Sequence, residues 1–423
     1  MNARLAAFRA LGAVCDNGAY ANLALKKALS GFDTRDAQWI TALVYTTLDH
    51  ILTIDFYLSH YARSPQKDVR KILRMGICEL LYMDTPPHAA INESVSLCRH
   101  IGKDGLTGFV NAVLRRVDRE RGHLPPFPND PVQRLSLRYS YPSWLVEEWL
   151  LRFGDAFTEA LLDAPYLPPS VRAQYPFTTE ELLTELPVPA VRGKLDAHCL
   201  YLSTGMDIAA LPAFIEGRMS AQSQSAMLCC RAMADCRGRR ILDACAAPGG
   251  KSAYLASLFE NDVDLSCWEL HPHRKQLLDS TLSRLHVAAK TSLKDAAVYD
   301  PAFDGHFDAV LLDAPCSGLG QTQDKPDIRY AKTDADIASL TALQDGLLSV
   351  CARYVRPGGM LLYATCTISR RENEAQIASF LNEHPEFQLE PMPIPLENSG
   401  VLQLFPHIHG TNGFFMARCR KCT

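Results

Sequence analysis

Two cysteines stand where a thiolate could act as a nucleophile. Cys316 lies in the segment DAPCSG (313–318) and Cys366 in TCT (365–367), and each segment ends an apolar run typical of a buried strand. In a doubly wound sheet these two strands are neighbours and ligands bind beyond their carboxyl ends, so both thiols should face one crevice. A lone cysteine is more often a small buried hydrophobe. Two cysteines at adjacent strand ends favour nucleophilic chemistry instead.

The loop DACAAPGGKS (243–252) precedes a predicted helix and has the composition of a ligand-binding turn. Its small residues let the backbone approach a ligand, and the helix N-terminus offers free N–H donors. The loop is neither G-x-G-x-x-G nor a P-loop, which disfavours a dinucleotide or triphosphate site. Glu269 stands at the end of the next predicted strand, where a sheet of this class contacts ribose hydroxyls, and Asp295 stands at the end of the weaker strand after it. Taken alone, either acid is also explained as a helix cap.

These segments belong to an array in which short apolar strands alternate with helices from about residue 219 onward. The predicted strands are 239–247, 264–270, 307–315 and 358–366, with a weaker one at 290–296. Helices are predicted between the strands, and the last helix is predicted to follow a capping box at Ser369 to Glu372. The pattern predicts an α/β, Rossmann-like domain with a mostly parallel sheet over residues 219–423.

The chain before this array divides into two further predicted domains. Apolar residues at spacings of three and four predict an all-α bundle over residues 1–125, and the proline-rich stretch HLPPFPND (123–130) ends it. Residues 131–218 combine a helix near 144–153 with a proline cluster and short apolar runs, which predicts a small α+β connector. The predicted fold class is therefore multidomain.

The composition limits the class of protein. With 423 residues, of which 47% are hydrophobic and 21% charged, the chain can bury large cores and is not a disordered polypeptide. Its apolar runs fall short of the roughly 20 residues that span a bilayer, and its first residues lack the features of a secretion signal. The 14 cysteines are irregularly spaced, which favours reduced thiols in a cytoplasmic protein. Because the net charge is −4, nucleic-acid binding would need a local basic patch.

The motifs DACAAPGGKS, DAPCSG and ATCT occur in the order and spacing of the RNA cytosine-5 methyltransferases, and the chain closely resembles that family. The likeness extends to a NusB-like helical domain, as in the Sun/Fmu (RsmB) branch, and it implies RNA binding by this domain (1–125) and by the connector (131–218). The segments that match outside the catalytic motifs are 4–29, 88–95, 108–116, 141–154 and 409–415. The resemblance covers nearly the whole chain and implies an S-adenosylmethionine-dependent enzyme whose partner is small-subunit ribosomal RNA.

The resemblance implies roles for three catalytic residues. Cys366 would be the thiolate that adds to C6 of cytosine, which converts the poorly nucleophilic C5 into an enamine carbon that can take a methyl group. Asp313 would hydrogen-bond the cytosine edge near N3 and N4, and Cys316 would serve product release. A free thiol with a pKa near ~8.5 is only a few per cent ionised at neutral pH, so Cys366 needs a local activator. The sequence identifies neither that activator nor the group that removes the C5 proton.

Contacts to S-adenosylmethionine are implied for the loop and for three acids. The implied loop contacts, around the methionine part, are Cys245, Ala246, Ala247, Pro248, Gly249, Gly250 and Lys251. Glu269 would bind the ribose, Asp295 would lie near the adenine, and Asp313 would lie beside the sulfonium. Glu269 stands where the family more often has aspartate, and its longer side chain still supplies acceptor oxygens.

Two basic stretches are candidates for phosphate contacts with RNA. They comprise Arg63, Lys67, Arg70, Lys71 and Arg74, and then Arg115, Arg116, Arg119 and Arg121. Acidic neighbours interrupt both stretches, so an ordinary solvated helix face is an equally good interpretation. The target base should be unpaired or flipped out, because a base inside a duplex cannot present C6 to a thiol. Cys419 and Cys422 form a C-x-x-C without a second pair, so no metal site is predicted.

Other functions stay open on the sequence alone. The same chemistry could act on transfer RNA or large-subunit rRNA, which the NusB-like domain disfavours only by analogy. A non-catalytic RNA-binding or assembly factor is disfavoured by the intact DAPCSG and ATCT motifs. DNA methylation is least favoured, because DNA enzymes of this chemistry carry the nucleophile in the motif equivalent to DAPCSG. A monomer is the default expectation.

Overall fold

The computed structural model describes residues 2–423, which fall into two compact units. The first unit contains the residues up to 164 together with the segment 324–331, and the second contains residues 165–323 and 332–423. The helices between 131 and 162 thus lie in the first unit, whereas the sequence grouped them with the connector. No helix within residues 2–423 is long and apolar enough to cross a lipid bilayer.

Helices build the first unit. They are α1 (Ala3–Asn17), α2 (Ala21–Ala28), α3 (Thr34–Asp49), α4 (Ile51–Tyr61), α5 (Lys67–Tyr82), α6 (Pro87–His100), α7 (Thr107–Glu120), α8 (Pro131–Tyr139), α9 (Ser143–Phe153) and α10 (Asp155–Leu162). Asn2 caps α1 by accepting a hydrogen bond from the Leu5 N–H, and Gly18 ends it in the left-handed conformation. The apolar faces of α1 to α7 meet in one core around Leu43 and Ile72. The predicted all-α class of this region is confirmed.

A small antiparallel sheet begins the second unit. Its elements are β1 (Ser170–Ala173), α11 (Thr179–Glu185), β2 (Ala190–Arg192), β3 (Leu200–Leu202), α12 (Pro212–Ile215) and β4 (Met219–Ala221). The strand order is β2-β3-β1-β4, and one face buries Val171, Leu200 and Met219. These strands have only three or four residues each, so their sequence pattern is too short to predict them individually.

The large sheet carries the predicted strand ends. Its strands are β5 (Arg240–Asp243), β6 (Asp264–Glu269), β7 (Lys290–Leu293), β8 (Phe307–Asp313), β9 (Val355–Thr365), β10 (Phe387–Leu389), β11 (Val401–Leu404) and β12 (Phe414–Lys421). The order is β10-β12-β9-β8-β5-β6-β7, with β11 paired to β12. The five strands from β9 to β7 are parallel, and helix-covered faces explain their continuous apolar runs. The Rossmann-like prediction is confirmed, whereas the antiparallel β12 beside β9 was not predicted.

Helices accompany this sheet from residue 224 onward. They are α13 (Gln224–Arg231), α14 (Gly250–Leu258), α15 (Pro272–Arg284), α16 (Ile328–Ala331), α17 (Asp334–Tyr354), α18 (Glu374–Glu383) and α19 (Pro406–His409). The predicted capping box at Ser369 to Glu372 is wrong. Helix α18 begins at Glu374 without a side-chain cap, because the Glu372 carboxylate binds other parts of the fold.

The segment 324–331, which includes α16, packs within the first unit although it follows β8 in the chain. Arg329 is buried there, with Nη2 2.7 Å from Asp49 Oδ1 and its guanidinium 4.1 Å from the centre of the Tyr141 ring. The Tyr330 hydroxyl donates to the Ser140 carbonyl oxygen at 2.5 Å. Charge pairing and stacking therefore anchor this segment.

Candidate active site

The carboxyl ends of β8 and β9 bring the two predicted thiols together. Asp313 ends β8 opposite Ala364 of β9, and the Ala314 N–H donates to the Ala364 carbonyl oxygen at 2.9 Å. Cys316 and Cys366 follow these strand ends, both partly exposed, with their Sγ atoms 3.3 Å apart. This separation is well beyond a disulfide bond of about 2.05 Å, so the two sulfurs are in hydrogen-bond contact as thiols. The predicted adjacency of the two thiols is therefore observed.

The thiol contact has an electrostatic consequence. The hydrogen bond with Cys366, followed by burial, raises the pKa of Cys316 well above its usual range. Cys316 therefore stays protonated at neutral pH and can donate its S–H to the sulfur of Cys366.

An ion pair joins the thiol crevice to the loop after β5. Lys251, in the first turn of α14, lies with Nζ 2.5 Å from Oδ2 of Asp313. Burial works against the ammonium charge, but the neighbouring Asp313 carboxylate outweighs it and the pKa of Lys251 is raised. Lys251 is therefore permanently charged and fixes the Asp313 carboxylate at the crevice wall.

The loop after β5 is shaped by Gly249 and Asp243. Gly249 has φ of +103°, and a Cβ at this position would lie 3.0 Å from Leu278 Cδ1, so a side chain would be strained and crowded. Asp243 is buried, and its Oδ2 accepts a hydrogen bond from Ser252 Oγ at 2.5 Å. Its Oδ1 has no hydrogen-bond partner within residues 2–423, and burial raises the pKa of Asp243 to about 7. An unpartnered buried oxygen beside a helix N-terminus fits a loop built around a polar ligand.

Glu269, the last residue of β6, and Asp295, two residues after β7, lie along the same edge of the sheet. Glu269 is 3% exposed, and its Oε1 accepts a hydrogen bond from the His271 N–H at 2.9 Å. Asp295 accepts from the Ala297 N–H at 2.9 Å. Each carboxylate thus binds the backbone two residues ahead, as in the cap interpretation, and still has a second oxygen. The structure places both acids in line with Asp243 and Asp313, because β7, β6, β5 and β8 are consecutive neighbours.

Glu372 is a site residue that the sequence did not reveal. Its fully buried carboxylate accepts hydrogen bonds from the Ser317 N–H at 2.8 Å, Ser317 Oγ at 2.5 Å and Thr367 Oγ1 at 3.3 Å. Gln344 Nε2 donates to it at 3.1 Å. Ser317 follows Cys316 and Thr367 follows Cys366, so one carboxylate ties together the loops that carry both thiols. A buried acid that follows the ATCT motif was the available signal, but the local pattern resembled a helix cap.

The basic stretches separate into structural and exposed residues. Lys71 Nζ lies 2.7 Å from Asp16 Oδ2, and Arg74 Nη2 lies 2.5 Å from Asp55 Oδ2. Both cations are largely buried, so they stabilise the helical unit and are not placed for phosphate contacts. The exposed members of the stretches are Arg63, Lys67, Arg70, Arg115, Arg116, Arg119 and Arg121. Within residues 2–423, no group of three or more His, Cys, Asp or Glu side chains is arranged to hold a metal ion.

The parallel sheet, the ligand-binding loop and the paired thiols define an S-adenosylmethionine-dependent methyltransferase. Residues 231–420 match the family model described as 16S rRNA methyltransferase RsmB/F, and residues 1–119 match the NusB family. The predicted NusB-like first domain is confirmed by this match.

Curated relatives and a solved structure match over the full length. The chain is 36% identical to the probable ribosomal RNA small subunit methyltransferase B of Bacillus subtilis (strain 168), over 98% of each chain. It is 34% identical to the ribosomal RNA small subunit methyltransferase B of Xanthomonas campestris, over 99% of this chain and 97% of that one. The crystal structure of PH0851 superposes with a TM-score of 0.85 and 26% identity, covering 100% and 99% of the two chains. The chain belongs to the ribosomal RNA small subunit methyltransferase B family.

Proposed function

We propose that this protein transfers a methyl group to C5 of one cytosine in small-subunit rRNA through a covalent bond between Cys366 Sγ and C6 of the base. The observation that carries the proposal is the 3.3 Å contact between Cys316 and Cys366 beside Asp313, at the ends of two adjacent parallel strands. This contact supports a site that combines a nucleophile, a thiol for product release and a base-binding carboxylate.

In this proposal each residue has one task. The Cys366 thiolate adds to C6 and makes C5 nucleophilic. Asp313, held by Lys251, hydrogen-bonds the polar edge of the cytosine and stabilises the charge that develops there. After methylation, a base such as a water molecule takes the C5 proton, the C5=C6 double bond re-forms and the C6–Sγ bond breaks, so that Cys366 leaves as a thiolate and the aromatic ring is restored. Cys316 is within reach of the Cys366 sulfur and assists this release.

The cofactor residues form the continuation of the same sheet edge. The loop Cys245 to Lys251 would hold the methionine part, Glu269 the ribose hydroxyls and Asp295 the adenine. The unpartnered Asp243 Oδ1 and the second oxygen of Asp295 support this fit, and Glu269 Oε2, which lies 3.6 Å from Arg274 Nη1, still has acceptor capacity for a ribose hydroxyl. S-adenosylmethionine supplies an electrophilic methyl group when bound there.

The substrate assignment follows the names of the relatives. Two of the matched proteins are small-subunit rRNA methyltransferases, and the family model names 16S rRNA. These names support 16S rRNA as the substrate, and the resemblance to the RsmB branch implies cytosine 967, presented unpaired or flipped out, as the target that we propose. We also propose that the protein acts as a monomer in the cytoplasm, where its catalytic thiols stay reduced.

Two cysteine variants test the chemistry. Cys366→Ala should abolish methyl transfer, because the nucleophile is lost. Cys316→Ala should accumulate a covalent RNA–protein adduct, because release is slowed, and denaturing gel electrophoresis with labelled RNA detects it. Cys422→Ala, an exposed thiol outside the crevice, is the matched control and should behave as wild type. Wild-type turnover by Cys366→Ala would contradict the proposed mechanism.

A further inference from the structure

A cavity of about 440 Å³ opens within the second unit, between the small sheet and the loop that precedes β12. Val191 and Tyr201, from β2 and β3, lie on one side, and Ile408 and Gly410 lie on the other. The volume is in the range of ligand sites of small-molecule size, roughly 300–1,000 Å³. It suits a single nucleotide rather than a folded partner.

The wall that holds Tyr201 is built from buried polar contacts. Gln224 is 1% exposed, and its Oε1 accepts hydrogen bonds from the N–H groups of Leu195 and Asp196 at 2.9 and 3.2 Å. Its Nε2 donates to the Tyr201 hydroxyl at 3.3 Å, and that hydroxyl donates to the Gly410 carbonyl oxygen at 3.1 Å. The ring of Tyr201 is therefore held in place at the cavity before any ligand arrives, which lowers the entropic cost of binding.

The lining combines apolar surface with positive charge. Val191 and Ile408 are 69% and 57% exposed, which is unusual for side chains of this type on two facing walls. Lys194 also lines the cavity, is exposed, and forms no ion pair within residues 2–423. Arg192 lies beside it, with Nη2 2.7 Å from Glu180 Oε1. An aromatic ring flanked by apolar side chains and a free ammonium is the combination that binds single-stranded nucleic acid, by stacking a base and pairing a phosphate.

Backbone hydrogen bonds connect the segment that follows the cavity to Cys366. The Gly413 N–H donates to the Gly320 carbonyl oxygen at 2.8 Å, and the Gly320 N–H donates to the Cys366 carbonyl oxygen at 3.0 Å. A Cβ on Gly320 would lie 1.9 Å from the Gly413 carbonyl oxygen, so this approach requires glycine. Gly410 is three residues from Gly413, which limits their Cα separation to about 11 Å. The cavity therefore lies within a distance of Cys366 that a few nucleotides can span.

We propose that this cavity binds one nucleotide that flanks the target cytosine in single-stranded RNA, with Tyr201 stacking on its base and Lys194 pairing with its phosphate. The proposal rests on RNA being the substrate. In this proposal the small sheet holds the RNA strand directly, next to the target cytosine.

Equilibrium binding to a transcript of the small-subunit rRNA segment that contains the target tests the cavity separately from catalysis. Lys194→Ala should lower the slope of log K against log salt by about 0.7, the value for one phosphate contact on a single strand. Lys290→Ala, an exposed lysine on edge strand β7, is the matched control and should keep the wild-type slope. Tyr201→Leu should weaken binding roughly tenfold, whereas Tyr201→Phe, which keeps the ring but loses the two hydroxyl contacts that hold it, should weaken binding less than Tyr201→Leu does.

The outcomes separate this proposal from the function on which it rests. Reduced slope and weakened binding in Lys194→Ala and Tyr201→Leu support the nucleotide site. Wild-type binding and slope in both variants would overturn it, even if the wild-type protein methylates RNA. Failure of the wild-type protein to methylate any RNA, with these binding effects intact, would instead contradict the proposed function and leave the nucleotide site standing.

Discussion

Removing the Glu372 carboxylate should loosen both thiol-bearing loops. In Glu372→Ala, the buried Ser317 N–H and hydroxyl lose their acceptor, and so does Thr367. Hydrogen bonds to a charged group contribute about 1.5–3 kcal/mol each, and the two bonds from Ser317 are short. We therefore expect the free energy of unfolding to fall by about 3–5 kcal/mol, the size seen when a buried charged network is broken.

Glu372→Gln removes the charge of this side chain but keeps most of its ability to form hydrogen bonds. The amide keeps one acceptor oxygen for the Ser317 N–H, and the hydroxyls of Ser317 and Thr367 can rotate to accept from its NH₂ group. We expect a loss of only about 1–2 kcal/mol in this variant. Glu383→Ala, on the exposed face of α18, is the control for mutation of an acid in this region and should change little.

Kinetics then shows whether Glu372 positions the thiols. A displacement of about 1 Å in a reacting group costs on the order of 100-fold in rate, so kcat for methyl transfer should fall by that order in Glu372→Ala under conditions where it is folded. The Kd for S-adenosylmethionine, measured by calorimetry, should change less than about threefold, because Glu372 contacts the loops after β8 and β9 and not the loop after β5. Wild-type kcat in Glu372→Ala would refute the positioning role.

Three further predictions concern pH, the first unit and the cofactor site. Asp243→Asn should flatten the pH dependence of stability. Burial raises the pKa of Asp243 in the folded state to about 7, above its value in the unfolded chain. The contribution of this group to the free energy of unfolding is therefore complete below about pH 4 and is lost as the pH rises through 7. Urea unfolding of the wild type and the variant at pH 5 and pH 8 measures this loss. Arg329→Met should lower the unfolding free energy of the first unit by about 2 kcal/mol, because Asp49 and Tyr141 lose their cation; unchanged hydrogen exchange in that unit would count against this. Glu269→Ala should raise the Kd for S-adenosylmethionine about tenfold or more by removing a charged acceptor, and an unchanged calorimetric Kd would remove Glu269 from the site.

The strand ends were predictable because buried parallel strands leave a clear pattern in the sequence, and the functional residues stand at the carboxyl ends of those strands. Parallel strands covered on both faces appear as uninterrupted apolar runs, so the five strands that end near Asp243, Glu269, Asp295, Asp313 and Cys366 stand out in the sequence. The side chains after those runs necessarily gather at one edge of the sheet. This rule predicts that Cys316 and Cys366 are adjacent. The 3.3 Å contact between their sulfur atoms and its effect on the pKa of Cys316 are seen only in the structure.

The features that escaped prediction depend on distant parts of the chain. The partners of Glu372 include Ser317, which is 55 residues away, so its sequence neighbourhood suggested only a helix cap. Strand β12 pairs antiparallel with β9 about 50 residues later in the chain, and no local pattern sets that choice. Segment 324–331 lies in the catalytic half of the sequence, yet its buried Arg329 joins the helical unit. In each case tertiary contacts decide the structure, and local propensity does not.

The most direct test of the central claim is transfer of labelled methyl groups from S-adenosylmethionine to unmodified small-subunit rRNA, followed by site-resolved mapping of 5-methylcytosine. The proposed chemistry predicts one modified cytosine with the wild-type protein and none with Cys366→Ala. Methylation of a different base or atom, or undiminished 5-methylcytosine with Cys366→Ala, would contradict it.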